Sequence, residues 1–149
     1  MPDSVTWRVD GLSALGDRLR KLGNPGAQRI ATAMTSAAAQ VIKKRAKRKI
    51  ETNPSVDTGS LRDAVIVKKI PKSQTTLTSE HIVTARGRGK VSKKTGKKQP
   101  DAPYAAIVEF GSVHMPAEPY LRPAIDEGKQ EAVEAMKARG AARLTKAGT

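Results

Sequence analysis

Two histidines are the first residues to consider for metal or acid–base chemistry. His81 and His114 lie far apart in the chain, and neither has a carboxylate at the spacing of a metal site. The chain has no cysteine, which excludes a disulfide framework and a thiolate metal site. No serine, histidine and acid follow one another in an order that suggests a catalytic triad. We therefore predict no metal, no cofactor and no catalytic histidine.

Glu109 is the one acid that stands out, because it lies between Val108 and Phe110 in an apolar stretch. A carboxylate buried there needs a partner. Arg62 and Arg122 are candidates for a salt bridge, and backbone amides are candidates for hydrogen bonds. A catalytic glutamate would need a second acid or base nearby, and the sequence suggests none. We therefore predict a structural role for Glu109, and we predict that the protein is not an enzyme.

The chain is strongly basic. It has 28 lysines and arginines against 14 acids, a formal net charge of +14, which attracts nucleic acid, anionic lipid or acidic protein surfaces without choosing between them. Two runs carry the densest charge, and we predict that they contact DNA or an acidic neighbouring subunit; solvated surface charge is the alternative. These cations are Lys43, Lys44, Arg45, Lys47, Arg48 and Lys49 in the first run, and Arg86, Arg88, Lys90, Lys93, Lys94, Lys97 and Lys98 in the second.

The second basic run belongs to a segment, 86–100, that is predicted to form a long, mobile hairpin loop or arm. Between residues 86 and 98 it has seven cations, three glycines and no acid, a composition that cannot bury a core. It has no interleaved aromatic residues, so stacking on nucleic-acid bases is not indicated. The composition of this segment is compatible with contacts to phosphates, which do not depend on base sequence.

Helical and strand periodicities predict an α+β fold in one domain, 1–149. The expected architecture is an antiparallel sheet of about four strands, packed by a long helix in the N-terminal half and a C-terminal helix. No stretch approaches 18 apolar residues, so we expect no membrane span. The elements are a strand over 5–9, a helix over 12–22, a helix from Asn24 to before Asn53, strands over 64–70 and 75–85, and a helix from Pro123 whose end, 140–149, is frayed.

The stretch after the basic segment contains the single phenylalanine and both tyrosines of the chain. Clustered aromatics favour a packing centre there. Tyr104, Ile107 and Val108 have the spacing of one helix face, whereas Tyr104, Ala106, Val108 and Phe110 alternate as in a strand. Periodicity alone does not decide between helix and strand in so short a run.

Two sequence motifs resemble those of the tail-completion proteins, also called head–tail joining or neck proteins, of long-tailed double-stranded DNA bacteriophages. The first motif has two parts: residues 104–112 read Tyr-Ala-x-x-Val-Glu-Phe-Gly-Ser, and residues 116–124 read Pro-Ala-Glu-Pro-Tyr-Leu-Arg-Pro-Ala. The second motif lies upstream. Residues 58–62 resemble the family's Thr-Gly-x-Leu-Arg element and follow a long helix, as they do in the family. Ser112 replaces a frequent threonine, and Tyr120 replaces a frequent phenylalanine.

The resemblance implies a structural virion protein at the neck or top of the tail, made in the cytoplasm of the bacterial host. Such a protein would form a ring of about six copies that joins the tail to the head connector and lets DNA pass. Its partners would be its own copies, the connector or adaptor ring, the tail terminator or tail tube, and genomic double-stranded DNA in the lumen, with no membrane. The alternative is a basic nucleic-acid-binding protein that acts outside a particle.

The same resemblance suggests which residues pack the motifs or contact a neighbouring subunit. The apolar loop around Phe110, Met115 and Tyr120 would either lock the domain or pack on the neighbouring subunit, and Leu61 and Arg62 would dock near it. These residues are Leu61, Arg62, Tyr104, Val108, Glu109, Phe110, Gly111, Met115, Pro119, Tyr120, Leu121 and Arg122.

Overall fold

Two long helices carry the fold. The computed structural model describes residues 24–53, 59–71, 79–92 and 95–147. Helix α1 spans Asn24–Glu51 and helix α4 spans Leu121–Ala147. Between them lie the short helix α2 (Gly59–Ala64), the strands β1 (Val65–Ile70) and β2 (Glu80–Ala85), and the short helix α3 (Ala105–Phe110).

Helices α1 and α4 pack antiparallel along most of their length. Gly128 faces Ile42 near one end, and Gly140 faces Met34 toward the other. A Cβ atom added to Gly140 would come within 2.9 Å of the Met34 sulfur, so the absence of a side chain lets the helices approach closely. The helix predicted from Asn24 to before Asn53 is confirmed. Its alanine-rich middle contributes Ala38 and Ala39 to the buried core.

The predicted α+β class is confirmed; the sheet in the described residues has two strands, and the predicted count of about four is not confirmed. β1 and β2 are antiparallel, with Val65 opposite Ala85 and Ile70 opposite Glu80. The predicted strand over 5–9 and helix over 12–22 lie outside the described residues, as does much of the first half of the strand predicted over 75–85.

The ambiguous stretch after the basic segment is helical. Ala105, Val108 and Glu109 are buried together on one side of α3, a spacing that a helix produces and a strand does not. In a strand, Val108 and Glu109 would point to opposite faces. The strand alternative for this stretch is therefore wrong.

The basic segment follows the end of β2, and contacts between its two arms bring the chain back to its starting point. Val91 and Lys98 form an isolated antiparallel bridge, and the Gln99 amide donates to the Lys90 carbonyl. The Ala102 amide donates to the Arg86 carbonyl and closes the loop. The expected mobility of 86–100 stays a prediction.

Helix α4 begins at Leu121, so Pro123 lies in its first turn, as predicted. The helix continues past Gly140 to Ala147, and fraying of this end stays a prediction. The buried core has two clusters. One, along α1 and α4, includes Ile42 and Met136; the other joins the ends of α1 and α4 to α2, β1 and α3.

Candidate assembly surface

The Glu109 carboxylate holds the first turn of α4. Its side chain is buried, with 4% of the residue exposed. Oε2 accepts hydrogen bonds from the Tyr120 and Leu121 amides, both at 2.8 Å, and Oε1 accepts one from the Arg122 amide at 3.1 Å. These amides have no partner inside the helix, and the positive end of the helix dipole favours an anion at this position. Glu109 therefore caps α4 from a separate element.

Pro123 explains why one carboxylate is sufficient to satisfy the N–H groups at the start of α4. A helix leaves its first four N–H groups without intrahelical partners, and here the fourth position is Pro123, which has no N–H. The three amides that remain, at 120–122, all donate to Glu109. The glutamate and the Tyr-Leu-Arg-Pro sequence therefore act as one capping unit.

The two sequence motifs meet in the core beside this cap. Leu61 of α2, Val108 of α3 and Tyr120 are buried in the same cluster, and Leu61 is completely inaccessible to solvent. Tyr104 and Met115 pack partly buried against them. Burial, assisted by the nearby Glu109 carboxylate, raises the pKa of Tyr120 well above its ordinary value. The motifs are thus first of all a packing unit.

Neither arginine predicted as a partner of Glu109 contacts it with its side chain. Arg62 instead forms ion pairs with Asp63, at 3.1 Å from Nε, and with Glu51, at 3.3 Å from Nη1. The hydrogen bond and charge of Asp63 are the main reason that the pKa of Arg62 is raised. The Arg122 guanidinium lies 5.1 Å from the centre of the Phe110 ring, a cation–π contact. The salt-bridge alternative for Glu109 is wrong, and the backbone-amide alternative is confirmed.

The loop between α3 and α4 is tied down at both ends. Gly111 has φ 79° and ψ 178°, a backbone region open essentially to glycine alone, and a Cβ there would lie 2.9 Å from the Ala117 nitrogen. The Glu118 amide donates to the Val108 carbonyl, and the Glu118 carboxylate accepts from the Asn53 side chain at 2.8 Å. The loop is therefore positioned by α3 and by the end of α1.

Three large apolar side chains near this loop are exposed. Ile107 is 45% exposed, Phe110 39% and Val113 97%; we call them the α3 patch. Ile107 and Phe110 are one helical turn apart, and Val113 lies in the turn closed by the Ser112–Met115 bridge. Pro119 is exposed as well. Sequence reasoning missed Val113, whose only signal is an apolar residue in a polar turn between Ser112 and His114.

The first basic run is partly neutralised by the chain itself. Arg45 pairs with Glu131 at 2.7 Å and lies 4.0 Å from Glu127, and Lys49 pairs with Glu127 at 2.6 Å. The acidic partner expected on a neighbouring subunit is, for these two cations, the first half of α4. For Lys43, Lys44, Lys47 and Arg48, contact with a polyanion stays a prediction.

Part of the second basic run also makes contacts within the chain. Lys98 pairs with Asp101 at 3.2 Å, and the Arg86 guanidinium donates to the Pro100 carbonyl at 3.1 Å. The amide of Gly89, followed by Lys98, lowers the pKa of Asp101. Lys93 and Lys94 lie outside the described residues. Contact of Arg88, Lys90 and Lys97 with a polyanion stays a prediction.

Across 24–53, 59–71, 79–92 and 95–147, no three His, Cys, Asp or Glu side chains are placed to hold a metal ion. Within the same part of the chain, no helix is both long enough and apolar enough to cross a membrane.

Comparison with known proteins identifies a family. Residues 13–111 match the family described as "Bacteriophage HK97-gp10, putative tail-component". No curated protein and no solved structure matches the chain. The matched range covers well over half of the 149 residues, and it includes α1, the sheet, the Leu61 motif and α3 with Glu109. The chain therefore belongs to the HK97-gp10-like family of bacteriophage tail components.

Proposed function

We propose that the protein is a structural component of the virion at the neck or top of the tail. It would form a ring of about six copies that joins the tail to the head connector and lets DNA pass. Its neighbours would be its own copies, the connector or adaptor ring, and the tail terminator or tail tube. Family membership supports a structural role in a tail, and a structural role supports the view that the protein is not an enzyme.

The observation that carries the proposal of self-assembly is the α3 patch. Its three apolar side chains follow one another closely in the chain and are exposed, whereas isolated exposed apolar residues would need no explanation. The segment that bears them is held to the rest of the fold by two neighbouring residues of α3, through the Glu109 cap and the Glu118–Val108 hydrogen bond. Such a preformed surface loses little conformational freedom when it is covered. We therefore assign the α3 patch to the contact between subunits.

Light scattering across protein concentration tests this assignment. The measurement is made in about 0.5 M salt, which masks non-specific attraction to polyanions. We expect a discrete ring mass for the natural chain and a loss of that mass for Val113→Lys, which buries a charge in the contact. Val91→Lys is the matched control, because Val91 is 63% exposed but belongs to the basic segment.

Two results would contradict the proposal. A monomer at every concentration would contradict self-assembly of the isolated chain, leaving only assembly on a partner ring. Equal effects of the two lysine substitutions would show that the α3 patch is not the contact. Thermal unfolding of both variants checks that neither substitution acts by unfolding the chain.

A further inference from the structure

A groove follows the side of the helix pair at the end away from the α3 patch. Its walls are the N-terminal half of α1, from Pro25 to Gln40, and the C-terminal half of α4, from Ala135 to Arg143. Lys69 of β1 and His81 of β2 line it from the sheet. At 1.5 Å per residue, the α1 wall is about 22 Å long.

In the part of the chain that the structure describes, the lining of this groove is basic. Four cations, Arg29, Lys69, Arg139 and Arg143, line it, and none of the described residues that line it is an aspartate or a glutamate. The three arginines are exposed at the surface. This contrasts with the other end of the same helix pair, where Arg45 pairs with acids of α4.

The neutral polar residues of the groove are also hydrogen-bond donors. Thr32, Ser36 and Gln40 come from successive turns of α1 and lie along the lining. Below them, Thr35 Oγ1 lies 2.9 Å from Nδ1 of His81, which fixes the imidazole at the groove wall. Arginine, lysine, serine, threonine and glutamine side chains are the groups that contact phosphate oxygens in protein–DNA complexes.

The apolar part of the lining argues against an amphipathic helix as the occupant. Among the described residues it consists of alanines and Pro25 and includes no large apolar side chain. An acidic helix laid in this groove would bury little apolar area against it and would lack anchor contacts. None of the described residues in the lining is aromatic, so these residues cannot stack on nucleic-acid bases. A phosphodiester backbone needs neither apolar anchors nor stacking.

We propose that this groove binds the phosphodiester backbone of double-stranded DNA without reading its sequence. Arg29, Lys69, Arg139 and Arg143 supply the charge, and the Thr32, Ser36 and Gln40 side chains supply neutral donors. The inference does not depend on ring formation, because every group that it uses belongs to one chain.

Titration of a fluorescent duplex of about 20 base pairs with the full chain tests the proposal. Binding is followed by anisotropy between about 50 and 200 mM salt, since affinity falls with salt in proportion to the number of phosphates neutralised. One variant removes three groove charges, and a matched control removes three charges from exposed lysines that lie outside the groove and outside both basic runs. The variants are Arg29→Gln/Arg139→Gln/Arg143→Gln and Lys68→Gln/Lys137→Gln/Lys146→Gln.

We expect the groove variant to lose at least about tenfold in affinity at 100 mM salt. Its slope of log affinity against log salt should decrease by about 2 to 3, near 0.9 for each phosphate contact removed. The control should lose clearly less on both measures. Thermal unfolding of both variants shows whether the chain remains folded; all three groove arginines are exposed, so we expect no change.

Three outcomes would overturn the proposal. Unchanged affinity of the groove variant would exclude the groove as the DNA site. An equal or larger loss in the control would show that total charge, rather than the groove, governs binding. If labelled poly-glutamate of similar charge binds more tightly than the duplex and loses affinity with the groove variant, the groove belongs to an acidic protein segment instead.

Discussion

The Glu109 cap offers the sharpest test of how this fold is held together. Glu109→Gln keeps the size and shape of the side chain and removes its charge. One oxygen remains, and it can still accept from the two amides that Oε2 now serves, those of Tyr120 and Leu121. The new NH₂ group would face the Arg122 amide, so two donors would oppose each other where Oε1 now accepts.

The expected cost follows from two separate losses. A buried donor left without an acceptor costs about 1–3 kcal/mol. Loss of a negative charge at a partly buried helix N-terminus costs about 0.5–2 kcal/mol more. Together they predict a decrease of about 1.5–5 kcal/mol in the free energy of unfolding. In a chain of this size, each kcal/mol corresponds to about 2–4 °C, so the melting temperature should fall by on the order of 10 °C.

Urea and thermal unfolding measure this loss, and Glu118→Gln is the matched control. Glu118 is a partly buried glutamate in the neighbouring loop, and its carboxylate accepts one side-chain hydrogen bond, from Asn53 at 2.8 Å. A glutamine oxygen can replace that acceptor, so the control should change stability by less than about 1 kcal/mol. Unchanged stability of Glu109→Gln would refute the capping role. Loss of an enzymatic activity with intact stability would instead point to catalysis.

Two further predictions concern the backbone at the loop and the imidazole at the groove. Gly111→Ala should destabilise the fold by about 1–3 kcal/mol or more, because φ is 79° and a Cβ would lie 2.9 Å from the Ala117 nitrogen. Gly87→Ala is the control in urea unfolding, because φ at Gly87 is not positive and a Cβ there meets no atom within 4 Å; equal effects would contradict the argument from strain and contact. Burial, followed by the charge of Lys69, lowers the pKa of His81 below that of the unfolded chain, so the folded state resists protonation. The free energy of unfolding should therefore fall as pH decreases from about 7 through the pKa of histidine in the unfolded chain, near 6.5. His81→Gln should flatten this part of the pH profile of the melting temperature. Identical profiles for the natural chain and His81→Gln would contradict this prediction.

The long elements were predictable because their signals are local. Asn24-Pro25 marks the start of α1 and Asn53-Pro54 follows its end, and the β-branched run of β1 gives its position directly. The stretch of α3 was ambiguous, since six residues satisfy either period. What decides it is the tertiary demand that Glu109 reach the amides at 120–122.

The contacts of the charged residues were harder to predict, because they join distant parts of the chain. Arg45 and Glu131 are 86 positions apart, and Lys49 and Glu127 are 78 apart, so a run that reads as uncompensated is partly paired. In the groove, by contrast, cations that are dispersed in the sequence are brought together by the fold. One of its cations comes from α1, one from β1 and two, four positions apart, from α4, so no local run of charge indicates them.

The division of charge along the helix pair has a consequence for assembly. The cap and the α3 patch lie at the start of α4, whereas the groove wall on α4 begins at Ala135. Ala135 lies 14 positions after Leu121 in the same helix, a rise of about 21 Å. Contacts at the α3 patch therefore do not need the groove residues, and a subunit joined through the α3 patch can keep its groove uncovered. A chain of net charge +14 repels its own copies. A polyanion held in the groove would therefore also reduce the repulsion between subunits in the proposed ring.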